Sequence, residues 1–252
     1  MRMQGTVLVT GGAKRVGKAI VEDLAAHGFA VAIHANRSGR EANELAAGIA
    51  SRGGSSTVVT ADLTDEAATR ALIDQAEKAL GPVKLVVNNA SLFRDDRVED
   101  GYWPDWDAHF AVHVKAPSIL TAEMAKRLPD GSEGLVVNLI DQRVWSLTPL
   151  HYSYTLSKSA LWAATRTMAQ SLAPRIRVNA IGPGPTLANE RQSPADFDRQ
   201  AAAVLLRRSP DLSEFGDTIR WLWRSRSVTG QMIALDGGQH LAWETPDAVD
   251  TH

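Results

Sequence analysis

The chain of 252 residues contains no cysteine. Thiol catalysis, disulfide bonds and cysteine-ligated zinc are therefore excluded, and we expect no metal site. The chain also carries no cysteine pattern that would mark an oxidising compartment.

An excess of charge of one sign is also missing. The chain has 27 Lys and Arg residues against 29 Asp and Glu, a net charge of −2, with the basic residues spread along the sequence. We therefore expect neither a nucleic acid nor an anionic membrane as a partner. No apolar run has the length of a transmembrane helix, and the N-terminus runs into a predicted strand without a signal segment. We expect a cytoplasmic protein that acts on small molecules.

Tyrosine is scarce, and one tyrosine stands in a chemically informative position. Tyr154 precedes Lys158 by four residues in a predicted helix, so the two side chains lie on one face, about 5–6 Å apart at Cβ. An ammonium group there can act on the phenol, which makes Tyr154 a candidate proton donor. Tyr152 is six residues from Lys158 and Tyr102 begins a different predicted helix, so neither forms such a pair.

Seven short apolar runs rich in β-branched residues alternate with longer amphipathic segments. This alternation, with strands apolar on both faces, predicts parallel strands joined by right-handed helical crossovers. We therefore predict an α/β fold, a single domain with a doubly wound, seven-stranded parallel sheet and helices on both faces. The predicted strands are Thr6–Val9, Ala30–His34, Thr57–Thr60, Lys84–Val87, Leu135–Ile140, Arg177–Ile181 and Met232–Leu235. The predicted helices are Val16–His27, Glu41–Ser51, Glu66–Leu80, Trp106–Arg127 and Ser153–Leu172, with one or two more between Asp196 and Trp223.

The segment Pro183–Ala195 follows the sixth predicted strand and is rich in proline. It lies at the sheet edge where folds of this kind bind their ligands. We interpret it as a substrate lid that extends to about residue 210, and the residues from about 240 to 252 as a short C-terminal tail.

The first predicted strand leads into a glycine turn, Thr10-Gly11-Gly12-Ala13-Lys14-Arg15-Val16-Gly17, and then into a helix. In this arrangement backbone N–H groups and the helix N-terminus bind a pyrophosphate, so the turn predicts a dinucleotide site. Arg15 stands where the usual middle glycine would be. Its guanidinium could contact the phosphates or the substrate, or it could be a solvated residue of the first helical turn.

The end of the second strand indicates which cofactor is bound. NAD enzymes commonly carry a carboxylate there, which binds the ribose 2′-hydroxyl and would repel a 2′-phosphate. This strand ends in His34-Ala35-Asn36-Arg37-Ser38, without an acid and with an arginine beside a hydroxyl donor. That chemistry suits a 2′-phosphate and predicts NADP(H). If Arg37 is instead a surface charge, the choice of cofactor stays open.

Together these motifs resemble the short-chain dehydrogenase/reductase family over nearly the whole chain. The resemblance also rests on segments in the family's order and spacing: Asn88-Asn89-Ala90-Ser91, Asn138, Pro183-Gly184 and Thr229-Gly230 with Asp236-Gly237-Gly238. Within the family, the chain is similar to pteridine reductases and dihydromonapterin reductases. The details that carry this similarity are Lys14-Arg15, His34 with Arg37-Ser38, Ser91 with Phe93, and Asp141 where most members have serine.

The resemblance implies a Rossmann-like fold, NADP(H) and a homotetramer or homodimer. It implies that Tyr154 is the general acid, and that Lys158 binds the nicotinamide ribose and lowers the pKa of Tyr154 toward the working pH. The implied substrate contacts are Arg15, Ser91, Phe93 and Asp141. The implied cofactor contacts are Gly11, Lys14, Arg15, Val16, Gly17, Asn36, Arg37, Ser38, Asp62, Leu63, Asn88, Asn89, Ala90, Ser91, Tyr154, Lys158, Pro183, Gly184 and Thr186.

The chain departs from the family at His113, which corresponds to the active-site asparagine on the long fourth helix. The water-linked proton relay attributed to that asparagine is therefore in doubt. A histidine can itself carry protons near neutral pH; the alternative is a histidine packed in the helix.

Asp141 indicates the class of substrate. A serine hydroxyl donates to the oxygen of a ketone and stabilises the charge that develops there, whereas an ionised carboxylate has no proton to donate. A carboxylate suits a substrate with N–H groups or one protonated at a ring nitrogen, as when a C=N bond of a pterin is reduced. Phe93 would offer a flat apolar face to a bicyclic ring. The alternatives are core packing for Phe93 and a solvated loop position for Asp141.

Three functions are compatible with these residues. The leading prediction is an NADPH-dependent reductase with Tyr154 as proton donor and a pterin-like substrate, a dihydropterin or dihydrofolate. The second is a ketone, 3-oxoacyl or sugar reductase that tolerates Asp141. The third is a catalytically silent NADP(H)-sensing protein, against which the intact Tyr154 and Lys158 argue.

Overall fold

The computed structural model describes residues 4–188 and 193–243, which form one parallel sheet covered by helices on both faces. The predicted fold class is confirmed. The strands are β1 Gly5–Val9, β2 Phe29–Ala35, β3 Ser56–Thr60, β4 Val83–Asn88, β5 Gly134–Leu139, β6 Ile176–Pro183 and β7 Met232–Leu235. The helices are α1 Arg15–Ala26, α2 Gly39–Ser51, α3 Glu66–Leu80, α4 Trp103–Phe110, α5 Ala116–Arg127, α6 Tyr152–Leu172, α7 Pro194–Ala202 and α8 Leu212–Arg224.

The central strands β1, β2, β4, β5 and β6 are buried on both faces, which explains why they are mostly apolar. In β1, Val7 and Val9 face the layer beneath α1, α2 and α8, and Leu8 faces the layer beneath α3, α5 and α6. All three side chains are fully buried. Each such side chain contributes about 1.5–3 kcal/mol by leaving water, so the two layers hold the strand ends in fixed positions.

Local caps set the ends of several helices. Asp65 accepts a hydrogen bond from the backbone N–H of Ala68 at 3.1 Å, and α3 begins at the next residue. Gly81, with a φ of 84°, ends the same helix in a conformation that other residues adopt only with strain. Asp211 and Glu214 form a capping box at the start of α8. Asp65 and Gly81 explain why the predicted and observed bounds of α3 coincide.

The fourth predicted helix differs from the structure. The segment predicted as one helix, Trp106–Arg127, is divided into α4, a π-helical turn at Ala111–Lys115, and α5. Pro117 follows the turn and has no N–H to bond the carbonyl of His113, four residues earlier, so regular α-helical bonding is interrupted there. Periodicity alone does not reveal such a turn, because the apolar stripe continues through it.

The strand order is β3-β2-β1-β4-β5-β6-β7, with every strand parallel to its neighbours. The order reverses between β1 and β4, where the crossovers leave on opposite faces. A crevice at the carboxyl ends of the strands is the usual ligand site of such a sheet. The residues predicted to bind the cofactor and substrate follow the ends of β1, β2, β3, β4, β5 and β6.

Two predicted segments lie partly outside the described residues. Residues 189–192 of the predicted lid and residues 244–252 of the predicted tail are not among them. Within the described part of the chain, no helix is long and apolar enough to cross a membrane.

Close packing at Gly17 provides a test of how the glycine turn meets α1. A Cβ on Gly17 would lie 2.1 Å from the carbonyl oxygen of Gly11, whereas a Cβ on Gly39 would meet no atom within 4 Å. We expect Gly17→Ala to lower the free energy of unfolding by roughly 1–3 kcal/mol, because the turn has to move. Gly39→Ala is the control and should leave stability equal or slightly higher. Urea unfolding followed by circular dichroism measures both, and equal stability of the two variants would contradict the packing described.

Candidate active site

A buried histidine fixes the glycine turn after β1. The backbone N–H of Gly11 donates to Nδ1 of His34 at 3.1 Å, and Nε2 of His34 lies 3.1 Å from the carbonyl oxygen of Ala61. Because Nδ1 accepts, Nε2 carries the ring proton and donates to Ala61. Burial lowers the pKa of His34, which keeps the ring neutral. The sequence motif gave His34 no structural role of its own; the structure shows that His34 ties the turn to the end of β3.

The loop after β4 closes the turn from the other side. The carboxamide of Asn89 donates to the carbonyl oxygens of Thr10 and Gly11 at 2.9 and 3.0 Å. The hydroxyl of Thr10 accepts from the backbone N–H groups of Asn89 and Ala90, each at 3.0 Å. The structure therefore brings Asn89 and Ala90 to the predicted dinucleotide site, where they shape the turn.

Asn88 lies in a different environment from Asn89. Its carboxamide donates to Asn138 Oδ1 at 2.8 Å, and Asn138 donates to Thr165 Oγ1 at 2.8 Å. The Asn88 side chain is buried. The structure thus places it between β4 and β5 rather than at the surface of the crevice.

The N-terminus of α1 is open toward the crevice. Its N-cap residue is Lys14, which provides no side-chain cap and instead pairs with Glu41 at 3.0 Å. The side chain of Val16 packs against the apolar layer beneath α1, α2 and α8. Backbone N–H groups in the first turn of α1 are therefore available to an anion, as the glycine turn predicted.

Arg15 contacts the predicted lid. Its guanidinium donates to the carbonyl oxygens of Leu187 and Ala188 at 3.1 and 2.9 Å. The backbone of Arg15 has a φ of 52°, in the left-handed region. In this structure Arg15 therefore joins the glycine turn to the predicted lid. Neither of the two roles predicted for Arg15, a phosphate or substrate contact and a solvated helix residue, includes this contact.

The residues predicted for the adenosine end of the cofactor lie together beyond β2 and β3. Arg37 is exposed and Ser38 is half-buried at the start of α2. Asp62 accepts from the backbone N–H and the hydroxyl of Thr64, and these bonds, with one from Asn36 and the charge of Arg37, lower its pKa. The side chain of Leu63 is buried in the apolar layer beneath α3, α5 and α6, so only its backbone is at this surface.

The predicted proton donor and the unusual acid are hydrogen-bonded to each other. Tyr154 lies in the first turn of α6, and its hydroxyl donates to Oδ2 of Asp141 at 3.0 Å. The other oxygen of Asp141 accepts from the backbone N–H of Arg143 at 2.9 Å, which caps a short 3₁₀ turn after β5. Both oxygens of Asp141 are acceptors, and the side chain is 18% exposed. Asp141 is therefore part of the site rather than a solvated loop acid.

The pKa of Tyr154 is raised well above its ordinary value, opposite to the direction that the sequence led us to expect. Burial is the largest cause, followed by the charge of Asp141 and the hydrogen bond to it; Arg143 and a hydrogen bond with Ser91 act in the opposite direction. The expected lowering by Lys158 is wrong for this structure, because desolvation and the neighbouring carboxylate disfavour the phenolate. Tyr154 is held as a protonated phenol.

Lys158 lies one turn further along α6, as its spacing predicted. Its Nζ is 5.7 Å from the centroid of the Tyr154 ring and donates to the carbonyl oxygen of Leu139 at 2.8 Å. Burial lowers the pKa of Lys158 to about 8, while the charge of Asp141 raises it. At neutral pH the ammonium form therefore predominates.

Phe93 lies at the surface of the crevice. The side chain is 45% exposed, which excludes core packing. Its ring contacts Tyr154 edge-on, with centroids 4.9 Å apart, and His151 with centroids 4.5 Å apart. The guanidinium of Arg143 lies 5.6 Å from the ring centroid. Phe93 thus offers an apolar surface beside the phenol, as predicted.

The base of the predicted lid is fixed to β7. The backbone N–H of Gly184, which follows Pro183, donates to Leu235 at 2.9 Å. A Cβ on Gly184 would lie 2.7 Å from the Cα of Asp236, so the two segments pack backbone to backbone. The hydroxyl of Thr186 donates to the carbonyl of Gly184 at 3.1 Å. These contacts fix the start of the predicted lid at the carboxyl end of β6, beside the end of β7.

Three polar residues near the phenol belong to none of the sequence motifs. They are His109 on α4, and Ser153 and Ser157 on α6, which pair with His109 and His113. The two histidines are four residues apart, as are the two serines, and this spacing was a usable signal. An isolated serine in a helix, however, rarely marks a site. Within residues 4–188 and 193–243, no cluster of three or more His, Asp or Glu side chains is placed to hold a metal ion.

Known proteins resemble this chain along most of its length. A family model described as enoyl-(acyl carrier protein) reductase matches residues 11–240. The solved structure of FolM alternative dihydrofolate reductase 1 from Brucella canis, complexed with NADP, is 61% identical, covers 97% of both chains and has a TM-score of 0.95. Pteridine reductase 1 of Leishmania tarentolae is 31% identical and covers 93% of this chain and 96% of its own. The 3-oxoacyl-[acyl-carrier-protein] reductase FabG of Staphylococcus aureus is 24% identical and covers 96% and 100%.

The chain belongs to the short-chain dehydrogenase/reductase family. The resemblance inferred from its motifs is thereby confirmed, and within the family the chain is close to the pteridine reductases.

Proposed function

We propose that the protein is an NADPH-dependent reductase of a pterin-like substrate, a dihydropterin or dihydrofolate. The observation that carries the proposal is the hydrogen bond from the buried Tyr154 hydroxyl to Asp141, at 3.0 Å. Similarity to FolM alternative dihydrofolate reductase 1 and to pteridine reductase 1 supports this choice of substrate.

The residues of the site fit the reduction of a ring C=N bond. Bound NADPH would supply the hydride, and the protein supplies the proton. Tyr154 holds that proton at its hydroxyl oxygen, because burial and Asp141 keep the phenol neutral. The acceptor oxygens of Asp141 suit the N–H groups of an aminopyrimidine ring. The exposed ring of Phe93 supplies an apolar surface on which a flat heterocycle can pack.

The donor set around the crevice fits NADP(H). The open N-terminus of α1 suits the pyrophosphate. Arg37 and Ser38 suit a 2′-phosphate, and the carboxylate of Asp62, whose pKa the charge of Arg37 helps to lower, is already hydrogen-bonded by Thr64. Lys158, one helical turn after Tyr154 on α6, is the residue that we assign to the nicotinamide ribose.

Further parts of the proposal rest on the family resemblance. We propose one catalytic domain, with the lid over residues 183–210 and the tail from about 240, and a homotetramer or homodimer in the cytoplasm. The large exposed side chains of Trp103 and Trp221, 70% and 44% accessible, support a contact between subunits.

The choice of cofactor can be tested at Arg37. Replacing it with glutamine removes a charged donor to the 2′-phosphate, so the KM for NADPH should rise about 10- to 100-fold while activity with NADH changes little. Arg52→Gln, at the far end of α2, makes the same change of charge and is the control. Steady-state kinetics with both cofactors measure the ratio, and an unchanged KM for NADPH in Arg37→Gln would argue against this site.

The role of Asp141 can be tested by Asp141→Ser, since serine keeps the capacity to cap the turn at Arg143. We expect kcat/KM for dihydropterin and dihydrofolate to fall at least about 100-fold, because the acceptor pair and the partner of the phenol are lost. Asp130→Ser, at an exposed turn before β5, is the control.

Oxidation of NADPH with a panel of pterin, folate, quinone and 3-oxoacyl substrates provides the measurement. Unchanged pterin turnover in Asp141→Ser would contradict the proposed role. Turnover of 3-oxoacyl substrates alone by the unaltered protein would favour the second candidate, and turnover of none would favour the sensor.

A further inference from the structure

Two histidines and two serines form a paired arrangement behind the phenol, here called the histidine–serine ladder. Nδ1 of His109 lies 2.7 Å from the hydroxyl of Ser153, and Nδ1 of His113 lies 2.8 Å from that of Ser157. The two imidazole rings are stacked, with centroids 5.5 Å apart and planes 14° apart. The four side chains are fully or almost fully buried.

The other nitrogen of each imidazole holds the loop that carries Phe93. The backbone N–H of Leu92 donates to Nε2 of His113 at 3.1 Å, and that of Arg94 donates to Nε2 of His109 at 3.4 Å. The two bonded amides flank Phe93 on either side. His109 and His113, four residues apart, therefore bind the amides of Arg94 and Leu92, which are two residues apart in the loop.

A third contact continues the same pattern toward α6. The carboxylate of Asp96 accepts from the backbone N–H of Ser153, with both oxygens at 3.1 Å. The backbone carbonyl of Asp96 accepts from the backbone N–H of Tyr152 at 3.1 Å. The loop is thus held at residues 92, 94 and 96, while Phe93 turns toward Tyr154 and Asp95 pairs with His151.

The bonding fixes the proton on each ring. Nε2 accepts from a backbone N–H in both histidines, so the neutral ring carries its proton on Nδ1 and donates it to serine. The hydroxyl of Ser157 in turn donates to the carbonyl oxygen of Tyr154 at 2.7 Å. A carbonyl oxygen has no proton to pass on, so this branch ends inside the protein. On the other side, Nε2 of His113 lies 3.0 Å from the hydroxyl of Ser91, which is hydrogen-bonded to Tyr154. Because Nε2 is an acceptor, the neutral ring of His113 has no proton there to pass to Ser91.

The charges that face the ladder leave His113 neutral. Burial, Lys158 and His109 hold the pKa of His113 well below its ordinary value. Burial is also the main cause that lowers the pKa of His109, with Arg94 and Lys158 acting in the same direction and Asp96 and Asp105 opposing them. A proton relay would need His113 to change its protonation state, which these surroundings disfavour.

From this geometry we infer that His109 and His113 are positioning residues, which set Phe93 against Tyr154 and so determine how a flat substrate ring is seated. They do not carry the proton. The inference rests on the proposed function for the identity of the ring, but the arrangement of bonds is independent of it.

Two substitutions of His113 separate positioning from proton transfer. Glutamine is long enough to place an acceptor oxygen at the position of Nε2, whereas asparagine is one methylene shorter and reaches only Ser157. We expect His113→Gln to keep kcat/KM for the pterin within about threefold. His113→Asn should lose about tenfold, mainly through a higher KM, because the amide of Leu92 is left unpaired. The KM for NADPH and the pH profile of kcat should stay unchanged in both, and His27→Gln, on the opposite edge of the sheet, is the background control.

Other outcomes would overturn the inference. A relay predicts that both variants lose kcat to a similar extent with a shifted pH profile, or that His113→Asn, which restores the family's residue, is the more active. In case a variant fails to fold, ¹⁵N NMR of the unaltered protein labelled at histidine decides the point. The proton should be on Nδ1 of His109 and His113, and a proton on Nε2 or a charged ring near neutral pH would contradict the ladder. This measurement needs no substrate, so it stands even if the unaltered protein turns over no pterin.

Discussion

The hydrogen bond between the Tyr154 hydroxyl and Asp141 is the interaction on which the proposed chemistry of the site depends. It joins the first turn of α6 to the end of β5, at a depth where the phenol is screened from water. A carboxylate at this distance raises the pKa of the phenol, whereas the serine of a ketone reductase would leave it without that charge. In the proposed mechanism the pair keeps the phenol protonated until the proton is transferred, and reduction requires that protonation state.

The surroundings of this pair keep it in one geometry. The hydrogen bond from the backbone N–H of Arg143 fixes the carboxylate of Asp141. The histidine–serine ladder fixes the loop in which Phe93 contacts the phenol. Arg15 joins the glycine turn to the carbonyl oxygens of the lid. Each contact is polar and therefore directional, and those made by Asp141 and by the ladder are also partly buried. Together they limit how a ring can approach Tyr154.

The sequence predicted most of the fold because its signals were local. Seven strands and their crossover helices follow from apolar runs on both faces of the sheet, and Asp65 and Gly81 set the ends of α3. The pairing of Tyr154 with Lys158 follows from one helical turn. The π-helical turn before Pro117, the contact of Arg15 with the lid and the place of Asn88 depend on how distant segments meet. The direction of the Tyr154 pKa was missed for the same reason, because burial outweighs the charge that the sequence made visible.

An ultraviolet difference titration of the phenol measures whether Asp141 keeps Tyr154 protonated. The spectrum of Tyr154→Phe is subtracted to remove Tyr102 and Tyr152, over the alkaline range in which circular dichroism shows the protein folded. We expect Tyr154 to stay protonated beyond the ordinary tyrosine pKa of about 10, and Asp141→Asn to move the ionisation of Tyr154 to lower pH. Ionisation of Tyr154 below that value in the unaltered protein, or no change in Asp141→Asn, would contradict it.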